Sequence, residues 1–445
     1  MKTAVVLFTR DLRVRDNPAL AAACANFDRV VPLYVLDPRL QGLSPNRTRF
    51  LHECLADLRE TLLGKGGDLV IRRGDPVAET IKLAREVHAE GIALTSDVSA
   101  YARRRQDRFE AEAAQHRISL RLFPGVTVID PGDVKPGGGN DHYKVFSPYH
   151  RAWAGAKWRD EVATPRSVTL PDGLTTGQLP PVPTGESPDA LPGGETAGRR
   201  RATTWLEHTE PYDDRHNDMP ADGTSRLSAY LRFGCVSPLA LAHAVRKQNG
   251  PGLDAFVRQL CWRDFYYQVA YAFPKLSTEA LRRTGESHGW RDDSDALQHW
   301  QDGLTGVPVV DAGMRQLRAE GYMHNRARLI TASFLTKHLG LDWRPGVAWF
   351  FRWLNDGDVP NNSGNWQWVA GTGNDTKPYR RFNPIRQGER FDPDGVYVRR
   401  YVPELASIEG KAVHQPWRLP DAQRRALDYP EPLESHRDEA VWLRP

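Results

Sequence analysis

The sequence predicts an α/β protein in which an N-terminal, doubly wound, parallel five-stranded sheet domain precedes a mostly α-helical domain. Short apolar runs alternate with helical segments over the first 130 residues, a Pro- and Gly-rich stretch follows, and helical spacing dominates the remainder. We therefore expect an α/β domain at 1–130, an interdomain linker at 131–198, a helical domain at 199–430 and a short tail at 431–445.

The N-terminal domain is expected to alternate strands and helices. Its five strands are expected at AVVLF, VVPLYVLD, DLVIRRGD, GIALTSD and SLRLF. Helices between them are expected at NPALAAACANF, RTRFLHECLADLRETLL, PVAETIKLAREVHAE and YARRRQDRFEAEAAQH. The strands are nearly continuous apolar runs, as in parallel sheets that helices cover on both faces. This alternation predicts the doubly wound topology.

Residues 164–198 are rich in Pro, Gly, Thr and Ser, which is typical of a connector between domains. After it, apolar residues recur at helical spacing in PLALAHAVRKQ, LDAFVRQLCWRDFYYQVAYAF, NRARLITASFLTKHLG and GVAWFFRWLNDG. Strand-like alternation is scarce in this part of the chain. We therefore expect it to be helical.

Composition narrows the class of protein. The 445 residues carry a net charge of +4 with a pI near 8.8, which permits binding to nucleic acid without requiring it. No apolar stretch is long enough to span a membrane, and the start MKTAVVLFTRDLR is typical of a first strand rather than a signal peptide. The four cysteines lack CxxC spacing, so we expect reduced thiols in a cytoplasmic protein.

The string GTSRLSAYLRFG, residues 223–234, could bind a phosphate group. Thr224 or Ser225 would cap a helix, and the backbone N–H groups at that helix start, together with Arg226 and Ser228, would surround a diphosphate. The alternative is an ordinary helix cap without a ligand.

A second string, NDGDVPNN at 355–362, places Asp356 and Asp358 on either side of a glycine. These acids could bind a metal ion, although no histidine or further carboxylate lies at ligand spacing, or they could belong to a surface turn. Arg326 or Arg328 in MHNRAR could pair with them. Such a pair would allow the acids to lie in the domain interior.

Tryptophan is concentrated in one part of the helical region. Seven of the thirteen tryptophans fall between residues 290 and 368, and two of them flank a glutamine in NNSGNWQWVAGTG at 361–373. Core packing is one explanation, but indole rings are large and their N–H groups need partners. A series of neighbouring indoles could also carry electrons, which would require a redox cofactor at one end.

The chain resembles the photolyase/cryptochrome family in motifs that occur in the same order and spacing. These motifs are TSRLS, WRDFYYQ, GYMHNRARLITASFL, LDW, DGD, NNSGNWQWVAGTG and FNP, and LFTRDLRVRDNPAL extends the resemblance to the N-terminal domain. It is closest to microbial class I cyclobutane pyrimidine dimer (CPD) photolyases. The resemblance implies a blue-light-driven DNA-repair lyase, a flavoprotein that binds ultraviolet-damaged DNA, double- or single-stranded, as a monomer.

This resemblance implies that the helical domain binds FAD in a bent form. Tyr212 and the segment 224–228 would contact the diphosphate and ribityl chain, Arg328 would pair with Asp356, and Asn362 would face flavin N5. The residues implied in FAD binding are Tyr212, Thr224, Ser225, Arg226, Leu227, Ser228, Phe256, Arg263, Arg328, Asp356, Gly357, Asp358 and Asn362.

The same resemblance separates the two neighbouring tryptophans. Trp366 would begin an electron-transfer chain that continues through Trp343 to a surface Trp290, whereas Trp368 would form one wall of a lesion pocket and face Trp262. The lesion would be flipped out of the duplex into that pocket. The residues implied in lesion and DNA binding, among which the arginines would contact phosphates, are Gln259, Trp262, Asn325, Arg326, Trp368, Arg215 and Arg381.

One position departs from the family pattern. Three residues before Trp262, where many bacterial members have glutamate, the chain has Gln259, which cannot release a proton at neutral pH. Six-four photolyases also have glutamine there, so a six-four photoproduct is the alternative lesion. Those enzymes, however, use two histidines where this chain has Asn325 and Leu329. We therefore predict CPD repair, with catalytic contacts from Gln259, Asn325 and Asn362.

A second chromophore is implied in the N-terminal domain. Arg47 in SPNRTRF and Asp97 in TSDVSAY occupy the places of residues that bind a deazaflavin in some family members. We expect 8-hydroxy-5-deazaflavin as the antenna, with 5,10-methenyltetrahydrofolate, FAD or no antenna as alternatives. Two alternatives to a repair enzyme are a cryptochrome-type photoreceptor and a flavoprotein that binds DNA without repairing it. The lesion-pocket residues and the short C-terminal tail favour repair.

Overall fold

The structure is a computed structural model that describes residues 1–207, 212–248, 252–282, 289–374, 377 and 379–433, apart from the side chain of Asp214. Residues 434–445 of the expected tail therefore lie outside the described residues. The chain divides into two compact units. The first comprises Met1–Gly185, Pro192–Glu210 and Ser225–Lys275, and the second comprises Glu186–Leu191, Pro211–Thr224 and Leu276–Pro445.

The first unit contains a sheet of five parallel strands in the order β3-β2-β1-β4-β5. The strands are β1 (Thr3–Leu7), β2 (Arg29–Leu36), β3 (Val70–Arg73), β4 (Gly91–Thr95) and β5 (Ser119–Phe123). β1 and β4 are buried along their whole length, which explains their uninterrupted apolar sequences. The strand order reverses between β1 and β4, as in doubly wound sheets, so the predicted fold class is confirmed.

Four helices connect these strands. They are α1 (Pro18–Asn26), α2 (Pro45–Leu63), α3 (Pro76–Glu86) and α4 (Ala100–Gln115). Each follows a capping side chain that accepts a hydrogen bond from a backbone N–H of the first turn, namely Asn17, Ser44, Asp75 or Ser99. Proline opens three of the four helices, at a position where the missing N–H leaves no broken bond.

The remainder of the described chain is helical or irregular. Its helices are α5 (Phe146–Gly155), α6 (Glu195–Leu206), α7 (Tyr212–Arg215), α8 (Ser228–Phe233), α9 (Pro238–Gln248), α10 (Leu253–Ala272), α11 (Ser294–Asp302), α12 (Pro308–Glu320), α13 (Asn325–Ser333), α14 (Trp343–Trp353), α15 (Gly364–Ala370), α16 (Pro384–Phe391), α17 (Val396–Tyr401) and α18 (Asp421–Arg425). Single π-helical turns cover Phe334–His338 and Val359–Ser363. None of the helices in the described part of the chain has the length and apolar character that crossing a membrane requires.

The Pro- and Gly-rich connector is extended but hydrogen-bonded. The Val168 N–H donates to the Lys65 carbonyl at 3.0 Å, and the Ile71 N–H of β3 donates to the Thr176 carbonyl at 2.7 Å. An irregular segment needs such partners because buried backbone polar groups are costly to leave unpaired. Helix α5 lies within the stretch expected to be a linker, and helices α8–α10 group with the sheet in the first unit. The domain boundaries drawn from the sequence stay a prediction.

The second unit is built around a core of apolar and aromatic side chains from α11 to α17. Three of the seven clustered tryptophans, Trp300, Trp343 and Trp366, are at most 2% exposed and lie in this core. Trp290, Trp349, Trp353 and Trp368 pack against it and are partly exposed. Core packing therefore accounts for much of the tryptophan cluster, and the other roles of these rings depend on their individual surroundings.

Candidate functional site

An arginine and an acidic loop of the second unit form a closed ion pair. Arg328 in α13 donates from its two terminal nitrogens to the carboxylate oxygens of Asp356, at 3.1 and 2.8 Å. The Asp356 side chain is only 6% exposed. Burial alone would lower the pKa of Arg328, but Asp356 outweighs that effect and the pKa is raised. The pair thus fixes the loop that carries Asp356.

The loop continues into the π-helical turn at 359–363. Asp358 caps this turn, because its Oδ1 accepts from the Asn361 N–H at 2.8 Å. Within the turn, Asn362 donates from Nδ2 to the Val347 carbonyl at 3.2 Å. A carbonyl can only accept, so this bond fixes which side of the Asn362 amide carries its oxygen. Isolated π turns are frequent at functional sites, where they redirect side chains.

The polar groups of this loop fit the ring edge and ribityl chain of a flavin. Asp358 and Asn362 are 5% and 9% exposed, and burial of such groups is costly unless they are hydrogen-bonded. The neighbouring Ser363 Oγ is buried and has no hydrogen-bond partner in the described part of the chain. A flavin offers ring N–H and carbonyl groups and ribityl hydroxyls, which are partners for carboxylate, amide and hydroxyl side chains.

The metal-site alternative for the same loop has little support. Asp356 is used in the ion pair with Arg328, and Asp358 is used as a helix cap. Across the described ranges, no three His, Cys, Asp or Glu side chains are grouped so that they could hold a metal ion.

A series of contacts links Thr224 to the ion pair. Thr224 Oγ1 lies 3.1 Å from the Tyr322 hydroxyl. The Arg328 guanidinium lies over the Tyr322 ring, 5.6 Å from its centroid. Tyr322 was not selected from the sequence, although it lies within the quoted GYMHNRAR string. Its contacts with both Thr224 and Arg328 could not be read from that string, because Thr224 lies almost a hundred residues away.

Residues 225–228 of the segment that could bind a phosphate group belong to the first unit. Ser225 Oγ accepts from the Leu227 N–H at 3.3 Å, and α8 begins at Ser228. Arg226 has a φ of 51°, a left-handed conformation that non-glycine residues rarely adopt. Backbone strain of this kind is concentrated at ligand-binding and active sites. Phosphate binding by this segment stays a prediction, and the ordinary helix cap stays its alternative.

Phe256 and Arg263, expected at the ring pocket, both lie on α10 of the first unit. Phe256 is buried and packs on Trp205 with ring centroids 4.0 Å apart. Arg263 donates from Nη1 to the Val126 carbonyl at 2.5 Å and from Nη2 to the Leu231 carbonyl at 3.4 Å. The Arg263 guanidinium thus ties together backbone segments of the first unit. Its role beside a flavin stays a prediction.

Trp366 of α15 is buried among aromatic rings. Its ring lies 5.0 Å from that of Phe350 and 6.0 Å from that of Trp300, both at 73°. Gly346 provides the remaining space, since a β-carbon at 346 would lie 2.6 Å from Trp366 Cζ3. Gly346 follows Trp343 by one helical turn on α14. Trp366 therefore packs beside the turn that begins with Trp343.

The three tryptophans of the expected electron-transfer chain share one property. Trp290, Trp343 and Trp366 each bury an indole N–H that has no hydrogen-bond partner within the described ranges. Trp349, which lies outside the expected series, also buries an indole N–H without a hydrogen-bond partner among those residues. Trp300, by contrast, donates its N–H to the Thr331 carbonyl at 3.0 Å. An oxidised indole can lose its proton only to a neighbouring acceptor. Because Trp349 also buries such an N–H, this property does not distinguish the expected electron-transfer series, whose role stays a prediction.

Trp368 lies two residues after Trp366 but has different neighbours. It is half-buried, and the Arg380 guanidinium lies over its ring at 5.1 Å from the centroid. The Phe382 ring is 6.4 Å away at an angle of 32°. The structure thus separates the environments of the two neighbouring indoles. Neither Arg380 nor Phe382 was selected from the sequence.

Trp262 of the first unit is stacked on Phe146 of α5. Their ring centroids are 3.6 Å apart and the rings are almost parallel, at 3°. One face of the Trp262 ring is therefore covered by a protein side chain. Gln259 is exposed and lies one turn before Trp262 on α10, so the two side chains share a helix face. Trp262 and Trp368 belong to different units, and their facing arrangement stays a prediction.

Arg326 is half-buried on α13, and its hydrogen-bond partners are neutral side chains. It donates from Nε and Nη2 to Asn217 Oδ1, at 3.2 and 2.6 Å, and from Nη1 to Gln387 Oε1 at 3.4 Å. The Phe391 ring lies 4.2 Å from the guanidinium carbon. Burial and, to a lesser extent, the nearby charge of Arg390 lower the pKa of Arg326. The other expected DNA contacts, Asn325, Arg215 and Arg381, are exposed.

The two expected antenna residues lie in the first unit. Asp97 follows β4, and its side chain is 6% exposed and pairs with Arg10 at 3.3 Å. Arg47 lies in the first turn of α2, where its backbone N–H donates to Ser44 Oγ at 3.3 Å. Asp97 is therefore not an ordinary surface charge. The carboxyl ends of the strands in such sheets are the usual place for a ligand.

Comparison with known proteins agrees with these observations. The model of the FAD binding domain of DNA photolyase matches residues 256–442, and the DNA photolyase model matches residues 4–167. The chain is 48% identical to a deoxyribodipyrimidine photo-lyase of Streptomyces griseus over 97% of this chain and 96% of that protein.

Solved structures of high similarity are also found. A bacterial class III photolyase from Agrobacterium tumefaciens superposes with a TM-score of 0.92 at 33% identity, over 98% of this chain and 95% of that one. An archaeal photolyase from Sulfolobus tokodaii, solved with two FAD molecules, superposes with a TM-score of 0.83 at 28% identity, over 97% of this chain and 96% of that one.

Proposed function

Because this chain belongs to the DNA photolyase family, we propose that it repairs DNA by splitting cyclobutane pyrimidine dimers with blue light. The observation that carries this proposal is its 48% identity to a deoxyribodipyrimidine photo-lyase over nearly the whole of both chains. When bound and reduced, FAD supplies the light-driven electron that opens the cyclobutane ring. The class I assignment, the cytoplasmic location and the monomeric state stay predictions.

The protein's own part in this reaction begins with binding the cofactor. Asp356, held by Arg328, and Asp358 would accept hydrogen bonds from the ribityl chain and the ring edge. Asn362 would face the ring with an amide whose orientation is set by Val347. An amide can donate or accept without adding charge, so it suits a ring that changes its own charge. Thr224, bonded to Tyr322, would contribute on the diphosphate side.

We propose that Trp366, Trp343 and Trp290 deliver electrons from the protein surface to the flavin. Trp366 and Trp343 are buried and Trp290 is partly exposed, so the series runs from the core towards solvent. This series would reduce the flavin before repair and take no part in splitting the dimer.

The lesion would be held by aromatic walls and neutral amides. Trp262 and Trp368 offer the large rings, and Gln259 and Asn325 offer exposed amides. Amides donate hydrogen bonds but do not release protons at neutral pH, so they suit a reaction that needs only electron transfer. Leu329, where six-four photolyases use a histidine, provides no acid. The dimer is therefore the preferred lesion and the six-four photoproduct is the alternative.

We propose 8-hydroxy-5-deazaflavin as an antenna in the first unit. The supporting observations are Asp97 at the carboxyl end of β4 and Arg47 at the start of α2. Because Asp97 already pairs with Arg10, its carboxylate is held in place for a ligand. Changing Arg47 and Asp97 to alanine should remove the near-visible absorbance of the antenna and leave the flavin spectrum unchanged. Unchanged antenna content in this double variant would contradict the assignment.

Repair is tested with oligonucleotides that contain one defined lesion. The chemically reduced holoprotein is incubated with a CPD duplex or a six-four duplex, in light and in darkness, and the remaining lesion is quantified. We expect the dimer to disappear only in light and the six-four photoproduct to persist. Binding of the dimer without light-dependent loss would overturn the enzyme proposal, and loss of the six-four photoproduct alone would overturn the choice of lesion.

A further inference from the structure

Arg326 is half-buried, and its hydrogen-bond partners are all neutral side chains. Its three hydrogen bonds go to the side-chain oxygens of Asn217 and Gln387. No carboxylate in the described ranges pairs with it, whereas the neighbouring Arg328 is bidentate with Asp356. A partly buried cation without a carboxylate is costly unless an anion completes its environment.

The bonds to Asn217 leave suitable donors free for such an anion. A guanidinium has five N–H groups, and the three bonds use the one on Nε and one on each terminal nitrogen. One N–H group on each terminal nitrogen therefore has no hydrogen-bond partner among the described residues. Two such donors match two oxygens of a phosphate group.

The orientation of Asn217 is itself determined. His216 Nδ1 lies 2.9 Å from the Tyr212 carbonyl, which can only accept, so Nδ1 carries the proton. In neutral His216, Nε2 is then an acceptor, and it lies 2.9 Å from Asn217 Nδ2. The amide must therefore turn Nδ2 towards His216 and Oδ1 towards Arg326.

We propose that Asn217 is the positioning residue of Arg326 and that, with His216, it aims the guanidinium at a phosphate of the damaged DNA strand. The inference rests on the proposed function, because it takes Arg326 to be a DNA contact. Asn217 Oδ1 receives both Nε and Nη2 and so fixes the plane of the guanidinium, which the Phe391 ring also covers. Gln387, at 3.4 Å, is a weaker support.

The two amide partners therefore have different expected effects on DNA binding. Loss of Asn217 frees the guanidinium to rotate, so its phosphate contact weakens although the charge remains. Loss of Gln387 removes one long bond and leaves the Asn217 bonds intact, which makes Gln387→Ala a matched control. The change is expected in affinity for DNA and not in the rate at which bound dimers are split, because neither residue is placed at the reacting ring.

The experiment is a double-mutant cycle on the full-length holoprotein. Affinity for a duplex with one thymine dimer, and for the same duplex undamaged, is measured over a range of salt concentrations for wild type, Asn217→Ala, Arg326→Ala and the double variant. Losing one phosphate contact should reduce the salt slope of binding to duplex DNA by about 0.9. We expect about a tenfold loss of affinity for either single variant and no further loss in the double variant. Gln387→Ala should stay within about twofold of wild type.

Several results would overturn the inference. If the losses of the two single variants add in the double variant, Asn217 does not act through Arg326. If Asn217→Ala lowers affinity without changing the salt slope, its role is structural. Should the alanine variant not fold, Asn217→Asp replaces it: the carboxylate would compete with the phosphate for Arg326, so unchanged affinity in this variant also contradicts the proposal.

Failure of this inference is distinguishable from failure of the proposed function. Light-dependent splitting of saturating dimer by wild-type protein tests the function alone. If the wild-type protein splits dimers but the losses of the single variants add in the double variant, the proposed function stands and the role assigned to Asn217 is wrong.

Discussion

Replacing Gly346 by alanine should separate reduction of the flavin from repair of DNA. The added β-carbon would come closest to Trp366 Cη2, and it would lie 2.6 Å from Trp366 Cζ3 and 2.8 Å from Leu335 Cδ2. Carbon atoms in contact are about 3.5–4.0 Å apart, so the indole must tilt or shift by more than about 1 Å. Phe350 and Trp300 lie close to the same ring, and the shift therefore changes how Trp366 packs against the turn of α14 that begins with Trp343.

The energetic cost of this change is bounded by two opposing effects. Overpacking a core costs about 1–3 kcal/mol. Alanine in the interior of a helix is favoured over glycine by about 0.5–1 kcal/mol, which offsets part of that cost. The net loss of unfolding free energy is then about 0–2.5 kcal/mol. The variant should still fold and bind FAD, and its defect should appear in electron transfer.

The assay compares photoreduction of the oxidised flavin, in the presence of an external reductant, with repair by chemically reduced enzyme. Gly155→Ala is the matched control, because a β-carbon there meets no atom within 4 Å. We expect slower photoreduction in Gly346→Ala than in Gly155→Ala, and equal repair by the two reduced proteins. Equal photoreduction rates in the two variants would refute the role given to Trp366 packing.

Three further predictions concern single side chains. Asp356→Asn leaves the Arg328 charge partly buried and unpaired, so urea unfolding should show a loss of about 3 kcal/mol in unfolding free energy, and FAD content should fall. The control Glu186→Gln breaks an exposed pair and should cost under about 1 kcal/mol. Equal losses in the two variants would contradict this prediction. Trp366→Phe should block photoreduction but preserve repair by chemically reduced enzyme, and loss of repair there would disprove the separation of roles. Burial lowers the pKa of His338 from 6.5 to about 4, so unfolding takes up a proton between these pH values and stability falls as the pH drops through that window. Relative to His338→Gln, wild type should lose up to about 3 kcal/mol there, and parallel stability curves would contradict the shift.

The sheet domain could be predicted because its signals are local. Apolar runs define the strands, and capping residues such as Ser44 and Asp75 define the starts of helices. Periodicity also identified the helices of the second unit. It could not assign α8–α10 to the first unit, because that grouping depends on contacts such as the one between Trp153 and Asp264, 111 residues apart.

The candidate site divides in the same way. Residues within short motifs, such as Asp356 and Asn362, could be selected by resemblance to a family. Their supporting partners could not, because each pairing joins distant parts of the chain: Phe146 stacks on Trp262, and Asn217 bonds to Arg326 across 109 residues. The π-helical turn that contains Asn362 could not be predicted either, because no local sequence pattern indicates such a turn.

The action spectrum of dimer splitting is the most direct test of the proposed function. Reduced holoprotein is given a CPD duplex and illuminated at a series of wavelengths, and the dimer lost per incident photon is measured. We expect the spectrum to follow the absorption of the bound reduced flavin, with the absorption of any antenna added to it. No dimer should be lost in a control that is kept in darkness. Loss of dimer in the dark, or no loss at wavelengths that the flavin absorbs, would contradict light-driven repair through this cofactor.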